Sequence, residues 1–240
     1  MIVEVCANSL QSALNAEKAG ADRIELCAEL GVGGVTPSMG LIKSVLDDLS
    51  IPVHVLIRPR SAHFTYTHEE LKVMLADIAL CRAIGVHGVV SGALLANGAL
   101  DLAMTQKLME RAGPMHFTFH RAFDWVPDAM TALQDLCALG VQTILTSGQR
   151  AKAEEGLPLL QQLQAAAKSC TIMAGGGIHA GNAKAFKEAG LSALHLSATQ
   201  LGHLQPMEGR LPMNAAKHIN EDSVAVTNAQ VVRNVALSVK

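Results

Sequence analysis

Short apolar runs that read as strands recur eight times along this chain, beginning near Ile2, Arg23, Val53, Gly88, Met115, Thr143, Thr171 and Ala193. Between most of them lies an amphipathic stretch of roughly 10 to 18 residues, enough for a helix that crosses back over a sheet to the next parallel strand. The helix ends share a mark. Gly20, Gly85, Gly140 and Gly190 each follow an apolar last turn and precede a strand by a few residues. A residue there must take up the left-handed conformation that closes a helix, and glycine has no Cβ to oppose it. No Pro/Ser/Gly-rich linker or run of charge divides the chain. Eight strands, each followed by a helix within about 250 residues, predict a (β/α)₈ TIM-type barrel, here as a single domain over residues 1–240. A doubly wound open sheet is the runner-up. It would more often show fewer strands and a G-x-G-x-x-G turn after the first one, where this chain has Cys6-Ala7-Asn8-Ser9. Residues 199–226 read as irregular, with Thr227 capping a last helix through Val239.

Composition narrows the classes of function. The net charge is −2 and aromatics make up 3% of the chain, whereas a nucleic-acid surface wants a basic face and stacking rings. The longest apolar runs stop short of the roughly 18 residues that a membrane span needs. Met1 leads directly into Ile2 and Val3 with no basic, signal-like segment. The five cysteines are odd in number and scattered, which favours reduced thiols over a disulfide framework. The expectation is a soluble, intracellular protein without nucleic-acid or membrane partners.

The strand faces carry the functional signal. One face of each barrel strand meets the helices and the other looks inward, with period two. Val3 and Val5 alternate with Glu4 and Cys6, and Ile24 and Leu26 with Glu25 and Cys27. Val53, Val55 and Ile57 alternate with His54, Leu56 and Arg58; Met115, Phe117 and Phe119 with His116, Thr118 and His120; Leu194 and Leu196 with His195 and Ser197. Helix-facing positions must be apolar, so the polar members are assigned to the interior. An interior of Glu, Arg, His and Cys is costly unless each group is paired, hydrogen-bonded or used. The last inward residue of each strand lies at the mouth, where barrel sites form.

The first two strands repeat each other as Glu4-Val5-Cys6-Ala7 and Glu25-Leu26-Cys27-Ala28. Neighbouring strands lie about 4.8 Å apart, so equivalent thiols at their ends can share one small, soft ion such as Cu(I). Free cysteine also serves commonly as an inert small hydrophobe, and that is the reading for Cys81, Cys137 and Cys170, which fall on helices or strand starts. Arg58-Pro59-Arg60 closes the third strand, and His120-Arg121-Ala122-Phe123-Asp124 closes the fifth. These residues suit an anionic ligand, or else an internal lattice pairing Arg58 with Glu25 and Arg121 with Asp124. Thr146-Ser147-Gly148, Gly175-Gly176-Gly177 and His195-Leu196-Ser197 follow the last three strands, where backbone N–H groups often hold a phosphate.

Read together and in order, these segments resemble the CutC copper-homeostasis family. The matching stretches are Glu4-Val5-Cys6, Gly20-Ala21-Asp22-Arg23-Ile24-Glu25-Leu26-Cys27, Gly33-Gly34-Val35-Thr36-Pro37-Ser38 and Ile57-Arg58-Pro59-Arg60. Thr118-Phe119-His120-Arg121-Ala122-Phe123-Asp124, Leu145-Thr146-Ser147-Gly148, Gly175-Gly176-Gly177-Ile178 and His195-Leu196-Ser197-Ala198 complete them. The resemblance implies a TIM-type barrel, a cytoplasmic location, a homodimer or larger assembly and a role in handling Cu(I). The family's proposed metal cysteines fall on Cys6 and Cys27. Two departures stand out: Ser61-Ala62-His63 replaces the family's usual Gly-Gly-Asp, and Ala193 stands where Glu is frequent. A Cu(I) carrier has no evident use for the remaining polar set. A second reading is therefore an enzyme acting on a small polar or anionic (phosphate or carboxylate) metabolite. In it Glu25 or His120 moves a proton, and Arg58, Arg121, Asp124, Ser147, Gly176, His195 and Ser197 hold the ligand.

Overall fold

The computed structural model describes residues 1–203, 205, 211 and 221–240. Eight parallel strands close into a barrel in sequence order: β1 (Ile2–Ala7), β2 (Arg23–Leu26), β3 (Val53–Leu56), β4 (Gly88–Ser91), β5 (His116–Phe119), β6 (Thr143–Thr146), β7 (Thr171–Gly175) and β8 (Ala193–Leu196). Seven helices follow the first seven strands: α1 (Leu10–Lys18), α2 (Met39–Asp48), α3 (His68–Ala83), α4 (Leu102–Ala112), α5 (Ala129–Leu139), α6 (Leu157–Ala166) and α7 (Ala180–Glu188). The barrel expectation holds, and strand starts match to within a residue, β5 opening at His116 rather than Met115. Local chemistry explains this legibility. Ser9 accepts the Ser12 N–H to open α1, Thr67 and Glu70 form a reciprocal capping box at α3, and the four expected glycines all have φ between +81° and +94°.

The main core lies between barrel and helices. Val3, Val5, Ile24, Leu26, Val53, Val55, Phe117 and Phe119 turn outward into one continuous cluster with the inner faces of the helices. Inside the barrel, apolar packing is limited to two small groups. One joins Leu145, Met173 and Ala193; the other joins Cys6, Cys27, Leu56 and Val90. The rest of the interior is polar, as the alternation required.

The irregular stretch needs correction. Residues 199–203 and 223–227 form an antiparallel pair, β9 (Thr199–His203) and β10 (Ser223–Thr227), with Thr199 opposite Thr227. Residues 204, 206–210 and 212–220 of that stretch lie outside the described residues. Thr227 is the buried end of β10, where its N–H donates to Ser12 Oγ at 3.1 Å and its carbonyl accepts from Asn15 Nδ2 at 2.9 Å. Asn228 therefore caps the last helix, α8 (Ala229–Val239), accepting the Gln230 and Val231 N–H groups. Pairing between segments about twenty residues apart leaves little local trace in a sequence. Val232, Val235, Ala236 and Val239 of α8 are buried where the helix packs on α7, α1 and β1. No helix among the described residues is long and apolar enough to cross a membrane.

Candidate functional site

Strand register builds the interior from the bottom up. Glu4 of β1 lies opposite Arg23 of β2 and His195 of β8, and Cys6 lies opposite Glu25. The Glu4 carboxylate is fully buried and takes the Arg23 Nε–H on one oxygen and His195 Nδ1 on the other, at 2.8 Å. Burial alone would raise its pKa. The His195 hydrogen bond and the Arg23 charge outweigh that and lower it to about 2. Burial also opposes the His195 imidazolium, but Glu25 and Glu4 prevail and raise its pKa. Arg23 completes this lattice, with Nη2 3.6 Å from Met173 sulfur. Its inward direction follows from the same period that assigned Glu25 and Cys27, so the signal for this residue was present in the pattern.

Below the mouth, His54 stacks on His116 with centroids 4.9 Å apart, and His116 Nε2 contacts Thr143 Oγ1 at 2.9 Å. Burial lowers the pKa of both imidazoles, that of His54 to about 3. They are neutral spacers in a charged core.

Above the lattice sit the thiols. The sulfurs of Cys6 and Cys27 are 3.5 Å apart, and Cys6 Sγ lies 3.6 Å from Glu25 Oε1. Cys6, Glu25 and His195 each offer a ligand atom within 4.8 Å of the others. Cys6 is 6% exposed and Cys27 not at all, so any ion must enter through the mouth past Cys6. The Cys27 hydrogen bond, burial and the Glu25 charge together push the Cys6 thiol well above its ordinary value. Burial likewise raises the Glu25 pKa, and its Oε2 has no hydrogen-bond partner.

The mouth is a cavity of about 360 Å³ whose floor includes Cys6, Glu25 and His195 and whose walls include Arg58, Phe64, His120 and Arg121. Arg58 does not pair with Glu25, contrary to the lattice expected from sequence. Its Nη1 donates to the carbonyls of Val32 (3.0 Å) and Gly34 (2.7 Å), its Nη2 to Ala62 (2.8 Å), and it lies over the Phe64 ring at 5.1 Å. Three loop carbonyls replace one carboxylate because β2 and β3 set Glu25 beside His54, four residues and two repeats of the pleat below Arg58. Within this wall His120 Nδ1 accepts the Ala122 N–H at 3.2 Å. Burial and Arg58 lower its pKa to about 3, so the neutral ring carries its proton on Nε2, which has no partner.

Arg121 does pair with Asp124, at 2.7 Å, and donates to Ser147 Oγ at 2.8 Å. Asp124 also accepts from Thr146 Oγ1 and from the N–H groups of Ser147 and Gln149. Asp124 and Ser147 thus anchor the loop after β6 and aim Arg121, while Arg121, Gly176, His195 and Ser197 line the cavity itself. Cys81 is buried as expected, but Cys137 and Cys170 are only half-buried.

The comparisons agree with this architecture. A family model described as the CutC family matches residues 1–200. A CutC family protein of Salmonella enteritidis is 46% identical over 197 residues, covering 82% of this chain and 79% of its own length. Its counterpart in Klebsiella pneumoniae is 46% identical over 209 residues, covering 87% and 83%. Among solved structures, a Streptococcus agalactiae protein described as a copper homeostasis protein, CutC, superposes with a TM-score of 0.78 at 33% identity, over 82% of this chain and 98% of that one. Phosphoribosylanthranilate isomerase of Thermotoga maritima, 11% identical with a TM-score of 0.61 over 100% and 98% of the two chains, shares the fold alone. With the family model running through all eight barrel strands and relatives this similar over most of their length, the chain belongs to the CutC family.

Proposed function

We propose that this protein acts in cytoplasmic copper homeostasis by holding Cu(I) on the floor of the barrel mouth, with Cys6 and Cys27 as thiolate ligands. The observation that carries the reading is the 3.5 Å separation of two sulfurs on neighbouring strands, at the base of an open cavity and beside Glu25 and His195. Soft thiolates select Cu(I) over harder ions. The Cys27 hydrogen bond, burial and the Glu25 charge hold the Cys6 thiol well above its ordinary value, and an entering cation would offset them by stabilising the thiolate. Titration of Cu(I) against a strong chelator tests it. A folded Cys6→Ser, Cys27→Ser double variant is expected to lose the tight component, and an affinity equal to wild type removes these cysteines from the metal site. The resemblance supports a homodimer or larger assembly; light scattering that returns the 25.3 kDa of one chain at all concentrations ends that part.

A second reading is favoured by the cavity itself, since about 360 Å³ far exceeds the volume of one ion. Its polar groups, His120 Nε2–H and Arg121, suit a small phosphate- or carboxylate-bearing metabolite, with Glu25 as the group that moves a proton. Depressed basicity makes His120 a hydrogen-bond donor in this scheme rather than a base. Screening phosphorylated and carboxylated metabolites for thermal stabilisation, with Arg121→Ala as control, tests it. The absence of any stabilising anion leaves the copper reading alone.

A further inference from the structure

The base of the barrel, opposite the mouth, carries a second pair of thiols. Cys137 lies in the last turn of α5, and Cys170 immediately precedes β7. Their sulfurs are 2.9 Å apart, closer than the 3.5 Å that separates Cys6 from Cys27. Both backbones are fixed independently of the sulfurs. The Cys137 carbonyl accepts the Gly140 N–H at 3.1 Å in the cap of α5. The next residue after Cys170, Thr171, donates to the Gln142 carbonyl at 2.9 Å and is registered against Thr143 of β6. The approach is therefore a consequence of how α5 and the entry to β7 pack. Exposure differs too: this pair is half-buried, whereas Cys6 and Cys27 are buried at the barrel mouth. Among the described residues the one group of three or more metal-ligating side chains is that of Cys6, Glu25 and His195, so nothing completes a metal site around Cys137 and Cys170.

We infer that Cys137 and Cys170 form a dithiol–disulfide couple, converted by a hydroperoxide into an intramolecular bridge between α5 and β7. Burial and the hydrogen bond with Cys137 push the Cys170 thiol up to about 12. The thiolate of one cysteine of the pair attacks the hydroperoxide, cleaving its O–O bond; an alcohol (or water) leaves and that cysteine becomes a sulfenic acid. The other sulfur then attacks that sulfur. The S–S bond forms, the S–O bond breaks, and hydroxide departs with the second thiol's proton as water. One peroxide is reduced by two electrons and two thiols are oxidised to one disulfide. A free thiol or dithiol reductant reverses the bridge by exchange.

The test uses the full chain, folded and fully reduced. It is treated with equimolar hydrogen peroxide, quenched with iodoacetamide and digested without reductant for mass spectrometry. The expected product is a Cys137–Cys170 linked peptide that dithiothreitol removes. The link forms equally in the Cys6→Ser, Cys27→Ser double variant and is absent from Cys137→Ser and from Cys170→Ser. Because a bridge between residues 33 apart restricts the unfolded chain, the oxidised protein is expected to unfold at a higher temperature than the reduced one, in neither single variant. Full alkylation of both cysteines after peroxide treatment, or linkage of either to another cysteine, would overturn the inference. So would a bridge that lowers the unfolding temperature, since it would then be strained and not prepared by the fold.

Discussion

Replacing Glu4 by Gln removes the charge at the centre of the barrel while keeping the shape of the side chain. The Arg23 guanidinium would then stay buried against a neutral amide and the Met173 sulfur, and the carboxylate left to His195 would be Glu25, 4.0 Å from Nδ1. Stripping one partner from a buried ion pair costs about 3–5 kcal/mol, because the remaining charge is left uncompensated. The pKa of Glu4 supplies a second route to the size of the effect. Its folded value of about 2 against an ordinary 4.5 corresponds to about 3–4 kcal/mol, at roughly 1.4 kcal/mol per unit. For a depressed carboxylate this stabilisation is present above pH 4.5 and is lost as pH falls through 2. A chain of this length loses about 2–4 °C of Tm per kcal/mol, so Glu4→Gln is expected to unfold about 6–20 °C below wild type at pH 7. The gap should narrow as pH drops from 4.5 towards 2, where wild type protonates the same oxygen. Thermal unfolding followed by circular dichroism across that range measures both quantities. A gap under about 2 °C at pH 7, or one that does not depend on pH, would refute the claim that this carboxylate organises the interior.

Cu(I) binding must displace the Cys6 proton, so affinity is expected to rise at least about tenfold per pH unit between pH 6 and 8; a flat profile in a chelator competition contradicts thiolate ligation by Cys6. Gly34 has φ +83°, and a Cβ there would lie 2.7 Å from Leu56 Cδ2 and 3.3 Å from Cys27 Cβ. Gly34→Ala should therefore cost about 1–3 kcal/mol in chemical denaturation and weaken Cu(I) binding by displacing Cys27. His54 is buried neutral with its pKa near 3, so the unfolded chain takes up its proton first and stability falls as pH drops from 6.5 towards 3. His54→Leu is expected to flatten that part of the wild-type stability profile, and an unchanged acid limb would place the sensitivity elsewhere.

Much of the architecture was legible because its determinants are local. Period two along β1, β2, β3, β5 and β8 separated the helix-facing residues from Glu4, Cys6, Glu25, Cys27, Arg58, His120 and His195. Glycines at the ends of α1, α3, α5 and α7 marked where those four crossovers stopped, since a left-handed backbone has few other tenants. The repeated Glu-x-Cys of β1 and β2 placed two thiols on adjacent strands, and parallel register turned that repeat into a 3.5 Å contact. Beyond the local Arg121–Asp124 pair, partner choice was settled by tertiary structure. Arg58 turned to three loop carbonyls, and Asp124 became the anchor of the β6 loop. β9 found β10 across a stretch with no pattern of its own, and Cys137 met Cys170 across 33 residues. The alternation of a strand says which way a side chain points, because that is a property of its own backbone. What the side chain meets there depends on segments distant in sequence, and only the closed barrel brings them within reach.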